Sequence, residues 1–148
     1  MATLSNEDFY LKVAHALSGC QLVEQELKLY ITEAFDLVRK CVGDQMVFRM
    51  TGKDYANAPL GQLIDTFRRL TSNKKLVDDL KSFTTERNLL SHTGISHCLD
   101  YEGELDTSTV AKYQRRLDAI QREAPRLRIA IHEEANKFRG HLFFDKIA

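Results

Sequence analysis

Apolar residues recur at alternating steps of four and three along the first third of the chain. Phe9, Val13, Ala16, Cys20, Val23, Leu27, Tyr30, Ala34, Leu37 and Cys41 fall on one stripe of an α-helix. The pattern predicts a helix from about Asn6 to Val42. Ser5 and Asn6 are good N-cap types, and Glu7 and Asp8 suit the positive end of the helix dipole. Gly19 lies inside this run and should weaken it by about 1 kcal/mol relative to alanine; Gly43 is a natural stop. The periodicity lapses from Gly43 to Pro59, where Gly52, Asp54 and Asn57 read as a loop. A short helix follows to Leu70, with Leu60, Leu63, Ile64, Phe67 and Leu70 on one face and Pro59 suited to the first helical position. Thr71, Ser72 and Asn73 read as a break and a new cap, opening a third helix from Lys74 to Ser91 that Thr93 and Gly94 end.

Residues Ile95 to Asp106 are irregular, with room for a short hairpin. The last helix starts near Asp106 or Thr107 and carries Val110, Tyr113, Leu117, Ile120, Ala124, Leu127, Ile131, Ala135, Phe138 and Leu142 on its seam. Pro125 removes a backbone donor and crowds the preceding turn. The apolar period stays in phase across it, so one kinked helix is expected rather than two. Two long helices flanking two shorter ones make an all-α, up-down four-helix bundle with a single domain over residues 1–148. The adjacent Phe143 and Phe144 are expected to cover the core or a subunit contact.

Composition narrows the function classes. The 148 residues hold 21 basic and 21 acidic side chains and no net charge, so any nucleic-acid contact must come from a local patch rather than a basic surface. Three cysteines, Cys20, Cys41 and Cys98, fit neither a disulfide framework nor a zinc-ligand spacing. His97 and Cys98 near His92 match no ligand pattern either, so neither a metal nor another cofactor is expected. The stretch MATLSNEDFY lacks a basic region followed by an apolar run, and no apolar stretch approaches membrane-spanning length, so a cytoplasmic protein with reduced thiols is the plain expectation.

One residue breaks the pattern. The seam of the third helix steps through Leu76, Leu80 and Phe83 to position 87, which is Arg. A charge on an apolar stripe needs a carboxylate, a cavity, a subunit interface or a route to solvent. Glu24 and Glu26 on the first helix are candidate partners for it or for His92, with solvated carboxylates as the default. Asn88 follows directly, and His92 lies five residues on, about 140° around an ideal helix. Arg87 and His92 share one cavity only where the helix ends or distorts near Ser91. There a histidine can move a proton near neutral pH, and an arginine fork can clamp a phosphate.

Arg87, Asn88 and His92 at the end of a third helix, with Leu60-Gly61-Gln62-Leu63-Ile64 just before the helix pair, resemble the HEPN (higher eukaryotes and prokaryotes nucleotide-binding) superfamily. The resemblance implies a metal-independent endoribonuclease, working as a homodimer whose two motifs form one composite site. Carried over, His92 is the general acid or base at the ribose 2′-hydroxyl or the leaving oxygen. Arg87 stabilises the phosphorane-like transition state, and Asn88 orients His92 or holds a phosphate. The products are a 2′,3′-cyclic phosphate and a 5′-hydroxyl. The resemblance further implies a toxin or phage-defence role and a cognate inhibitor protein. Gly94 stands where one branch of the superfamily has a modifiable Tyr, so control by that modification is not implied.

Arg68, Arg69, Lys74 and Lys75 flank the break before the third helix and are candidate RNA-backbone contacts, against the plainer reading of a solvated surface. His15, His132 and His141 read as surface or half-buried residues. The first seam runs over more than four heptads, enough to serve a second subunit as well as the core. The competing reading is a non-catalytic helical interaction module, antitoxin or adaptor, or a bundle that binds a nucleotide without cutting it.

Overall fold

The computed structural model describes residues 6–91, 103–104 and 106–144. The described chain is all-α: α1 (Asn6–Val42), α2 (Leu60–Leu70), α3 (Lys74–Leu89) and α4 (Thr107–Phe143), with a short 3₁₀ turn at Gly52–Tyr55. The sites called at Thr93, Gly94, His97 and Cys98, and most of the irregular stretch after Ile95, lie outside the described residues.

α1 and α4 lie side by side and run parallel, since Lys12, Glu26 and Glu33 pair with Asp118, His132 and Arg139 in the same order along both helices. The expected up-down order would set them antiparallel; it fails because both ends of the short α2 stay beside one stretch of α1, with Lys28 donating to the Ala56 carbonyl and Tyr30 to the Leu70 carbonyl. α2 packs on α1 and α3, and α3 packs on α4. All four contribute to one apolar core. Phe9, Ala16, Cys20, Val23 and Leu27 of α1 meet Leu117, Ala124, Leu127 and Ile131 of α4, all fully buried or nearly so. Truncating one such leucine to alanine costs about 2–5 kcal/mol.

The buried stripe of α1 follows the heptad prediction as far as Ala34 and then departs from it. Cys41 is exposed and Leu37 half-buried, while Ile31 and Phe35 are buried. A straight helix drifts about 20° per heptad against a 3.5-residue repeat, so after four heptads the core-facing position has moved on by one residue. Phe48 and Tyr55 from the following loop then close over Phe35, with ring centroids 5.9 and 5.8 Å away.

Close approach explains two glycines. A Cβ on Gly19 would stand 3.0 Å from the Ala124 Cβ, so the residue that weakens α1 locally is the one that lets α4 approach. A Cβ on Gly52 would lie 1.8 Å from the Thr32 hydroxyl oxygen, which fixes the 3₁₀ turn against α1. Gly43 ends α1 with φ +53, a conformation that glycine adopts without strain.

Pro59 is the residue before α2 rather than its first helical residue. Asn73 caps α3 by accepting a hydrogen bond from the Leu76 amide at 3.1 Å. α4 passes through Pro125 as one helix, because its apolar face stays in register on both sides. At its end, Lys40 of α1 donates to the His141 and Leu142 carbonyls, at 2.7 and 3.0 Å, placing a cation at the negative end of the α4 dipole. Phe143 and Phe144, expected to cover the core or a subunit contact, are 62% and 83% exposed and so do not cover the core of their own chain. By that point α4 has run past the last apolar layer.

Candidate functional site

The seam of α3 places Leu76, Leu80, Phe83 and Leu90 in the core, and Arg87 on the same stripe one turn before Leu90. Its aliphatic stem stays with the core and its head turns to α1. Arg87 Nη2 lies 3.4 Å from Glu24 Oε1, with the two side chains 32% and 18% exposed. Nη1 lies 3.4 Å from the Asn88 side-chain oxygen. Both contacts are longer than a strong charge-assisted bond of about 2.8 Å. The Arg87 Nε is buried with no hydrogen-bond partner. Of the readings open from sequence, the carboxylate partner is the one found, and it leaves the guanidinium with donors to spare.

Cys20, one turn before Glu24 on α1, belongs to the same neighbourhood. Burial pushes its thiol up to about 11, with Arg87 pulling down and Glu24 pushing up more weakly. It is a protonated core residue at neutral pH rather than a nucleophile. Leu90 keeps right-handed helical angles, and its amide donates to the Glu86 and Arg87 carbonyls; the helical turn widens only at Leu90 and Ser91, where the described stretch ends. His92 itself lies outside the described residues.

The four basic candidates gather at the opposite end of α3. Arg68 and Arg69 both reach Asp65, at 2.8 and 3.4 Å. The Arg68 hydrogen bond, offset a little by desolvation, holds that carboxyl below its ordinary range. Lys74 and Lys75 are exposed in the first turn of α3. Thirteen residues of helix, about 20 Å, separate Lys74 from Arg87. Arg68 and Arg69 at the end of α2 and Lys74 and Lys75 at the start of α3 thus flank one break, a helix length away from Arg87 and Asn88.

Glu26 is matched not with Arg87 but with His132, at 3.3 Å. Arg139 lies 3.0 Å from the same His132 nitrogen and pairs with Glu33 at 2.6 Å. Among the described residues no group of three or more His, Cys, Asp or Glu side chains could hold a metal ion.

Sequence reasoning missed Glu134. It sits on the buried face of α4, 6% exposed, and accepts hydrogen bonds from Asn73 at 2.8 Å, Thr71 at 3.3 Å and Lys137 at 2.9 Å. Burial alone would raise its pKa, but these donors outweigh it and hold the carboxyl below the usual range. Glu134 thereby ties α4 to the break that orients α3. The available signal was an acid beside Ala135 at the edge of an otherwise apolar seam.

No family model matches the chain, and neither a curated protein nor a solved structure matches it significantly.

Proposed function

We propose that this chain is a metal-independent endoribonuclease of HEPN type, a four-helix bundle that acts as a homodimer with a composite Arg/His site. The observation that carries the reading is Arg87. It is a half-buried guanidinium on an apolar helix seam, held by long contacts only and with its Nε unbonded, in the last turn of α3. Such a group suits the charge that builds on a phosphate during transfer.

In this reading His92 takes the proton from a ribose 2′-hydroxyl, whose oxygen attacks the adjacent phosphorus. The P–O5′ bond breaks, and the 5′-oxygen leaves with a proton supplied by the second, protonated His92 of the composite site. A 2′,3′-cyclic phosphate and a 5′-hydroxyl remain. Arg87 stabilises the five-coordinate phosphorus and Asn88 positions His92 or a phosphate oxygen. Arg68, Arg69, Lys74 and Lys75 hold RNA backbone further along. The exposed Phe143 and Phe144 supply apolar surface for a second subunit. A toxin or phage-defence role with a cognate inhibitor, in the cytoplasm, completes the proposal. No described helix is long and apolar enough to cross a membrane.

One observation favours the alternative of a non-catalytic interaction or nucleotide-binding module. Glu24 already partners Arg87, which is what a purely structural arginine would show.

Cleavage of a mixed RNA substrate in EDTA by the wild type, His92→Ala and Arg87→Lys separates them. The expected result is cutting by the wild type that leaves cyclic phosphates, abolished in His92→Ala. Arg87→Lys should keep the charge toward Glu24 but lose about 10²-fold or more in rate, since one donor point replaces a planar fork. A folded wild-type dimer that does not cut, or equal cutting by all three, rejects the enzyme.

A further inference from the structure

The seam between α1 and α4 is open to solvent on its outer side. It forms a groove of about 670 Å³. Small residues make its floor, where Gly19 meets Ala124 and Pro125 follows. Leu11 and Leu22 stand along the α1 rim, 57% and 44% exposed. The groove runs on past Gln121 between Arg115 and Arg122 of α4, and Arg128 lines it from the other end. These three arginines have no hydrogen-bonding or ion-pair partner among the described residues, and the Arg128 Nε is buried without one. By contrast Arg39, Arg68, Arg126 and Arg139 are all matched with carboxylates. Asp118, beside Arg115 and Arg122, is already neutralised by Lys12 at 2.8 Å, while Asp8 at one end and Glu26 and Glu133 at the other lie in the adjoining hollows. In a chain without net charge, an apolar trough edged by unmatched guanidiniums is a local excess that an anionic, partly apolar partner would complement.

We propose that this groove docks an acidic amphipathic α-helix of a partner protein, its leucine-type face on Leu11, Leu22 and Pro125 and its carboxylates on Arg115, Arg122 and Arg128. Two helices offer no free backbone donors along their sides, so an extended peptide has nothing to pair with, whereas a helix satisfies its own backbone. Arg115 and Arg122 are seven residues apart, about 10.5 Å, the repeat of a flanking carboxylate on a heptad-patterned helix. A nucleic acid is the poorer fit, since among the described lining residues His15 is the one aromatic ring and the rims are leucine and alanine rather than a stacking platform. A second copy fits poorly too, because an isologous contact would set these guanidiniums against themselves. The inference does not depend on the nuclease reading.

The test uses two synthetic helical peptides about three heptads long with leucine at the a and d positions. One carries glutamate and the other lysine at the flanking positions, and binding to the full chain is read by fluorescence anisotropy. The glutamate peptide should bind and the lysine peptide bind at least about tenfold more weakly. Leu22→Asp should abolish binding. The exposed double substitution Arg115→Glu/Arg122→Glu, with circular dichroism matching the wild type, should reverse the preference. Binding of neither peptide, equal binding of both, or an unreversed preference overturns the proposal. So does wild-type binding of a labelled single-stranded RNA that the double variant loses, or a wild-type dimer that Leu22→Asp makes monomeric.

Discussion

At the scale of single residues, the decisive features are the charges that sit where apolar side chains are expected. Arg87 and Glu134 both occupy core-facing positions, and each is matched by groups from another helix. Burying a charge is tolerable only with such partners. Glu134→Gln should lower stability by about 1–3 kcal/mol, because the amide sets its own N–H groups against the Asn73 and Lys137 donors. The pH dependence follows from the depressed carboxyl. A group whose folded pKa is lowered contributes stability that is present above its unfolded pKa and is lost as pH falls through the folded one. Urea titrations should therefore show a gap between wild type and Glu134→Gln that is full at neutral pH and narrows below the ordinary glutamate range. A gap independent of pH would mean that the ionised form of Glu134 contributes nothing. Arg87 was legible in the sequence because it interrupts a period. Its partner was legible only as one of two carboxylates, since choosing between Glu24 and Glu26 needs the azimuth of α1.

At the scale of elements, the helices follow from periodicity and capping, and their corrections come from contacts. The shift of the buried stripe from Leu37 and Cys41 to Ile31 and Phe35 needed both the drift of the helix and the loop that closes over it. Nothing in the period of α1 foretold that Phe48 and Tyr55 would fold back onto it. Gly52 is the hinge of that arrangement. Gly52→Ala should cost about 1–3 kcal/mol, since the added methyl collides with Thr32. The double variant Gly52→Ala/Thr32→Gly should recover only part of the loss, because the Thr32 Cα still stands 2.9 Å from the added methyl and a glycine inside α1 costs about 1 kcal/mol. Thermal denaturation of the two checks this, and a neutral single variant would refute the collision. Pro125 shows an element surviving a local rule. The apolar residues on either side of it, Ala124, Leu127 and Ile131, are all buried, and their packing offsets the roughly 3 kcal/mol that an interior proline costs a helix.

At the scale of the whole molecule, the described surface ends in an apolar tip that its own fold does not cover. Phe143 and Phe144 stay exposed beyond the last core layer of α4. If they serve a homodimer, sedimentation should give a dimer for the wild type and a monomer for Phe143→Ser/Phe144→Ser at equal concentration and unchanged helix content. A dimer in both would assign subunit contact to another surface, and a monomer in both would remove the composite site from the proposed mechanism.

Periodicity, capping residues and the scarcity of breakers determined by themselves that the described chain is helical, where its two long and two shorter helices lie, and most of the stripe that each buries. These are local properties, carried by side chains three and four positions apart on one backbone. Tertiary structure alone decided which groups from distant runs meet: Arg87 with Glu24, His132 with Glu26, Glu134 with the α2–α3 break, and the small residues that bring α1 and α4 together beneath an open groove. Those pairings depend on the rotation and offset of one helix against another. Helix rotation is set by the sum of many weak core contacts, and no spacing within a single helix records it.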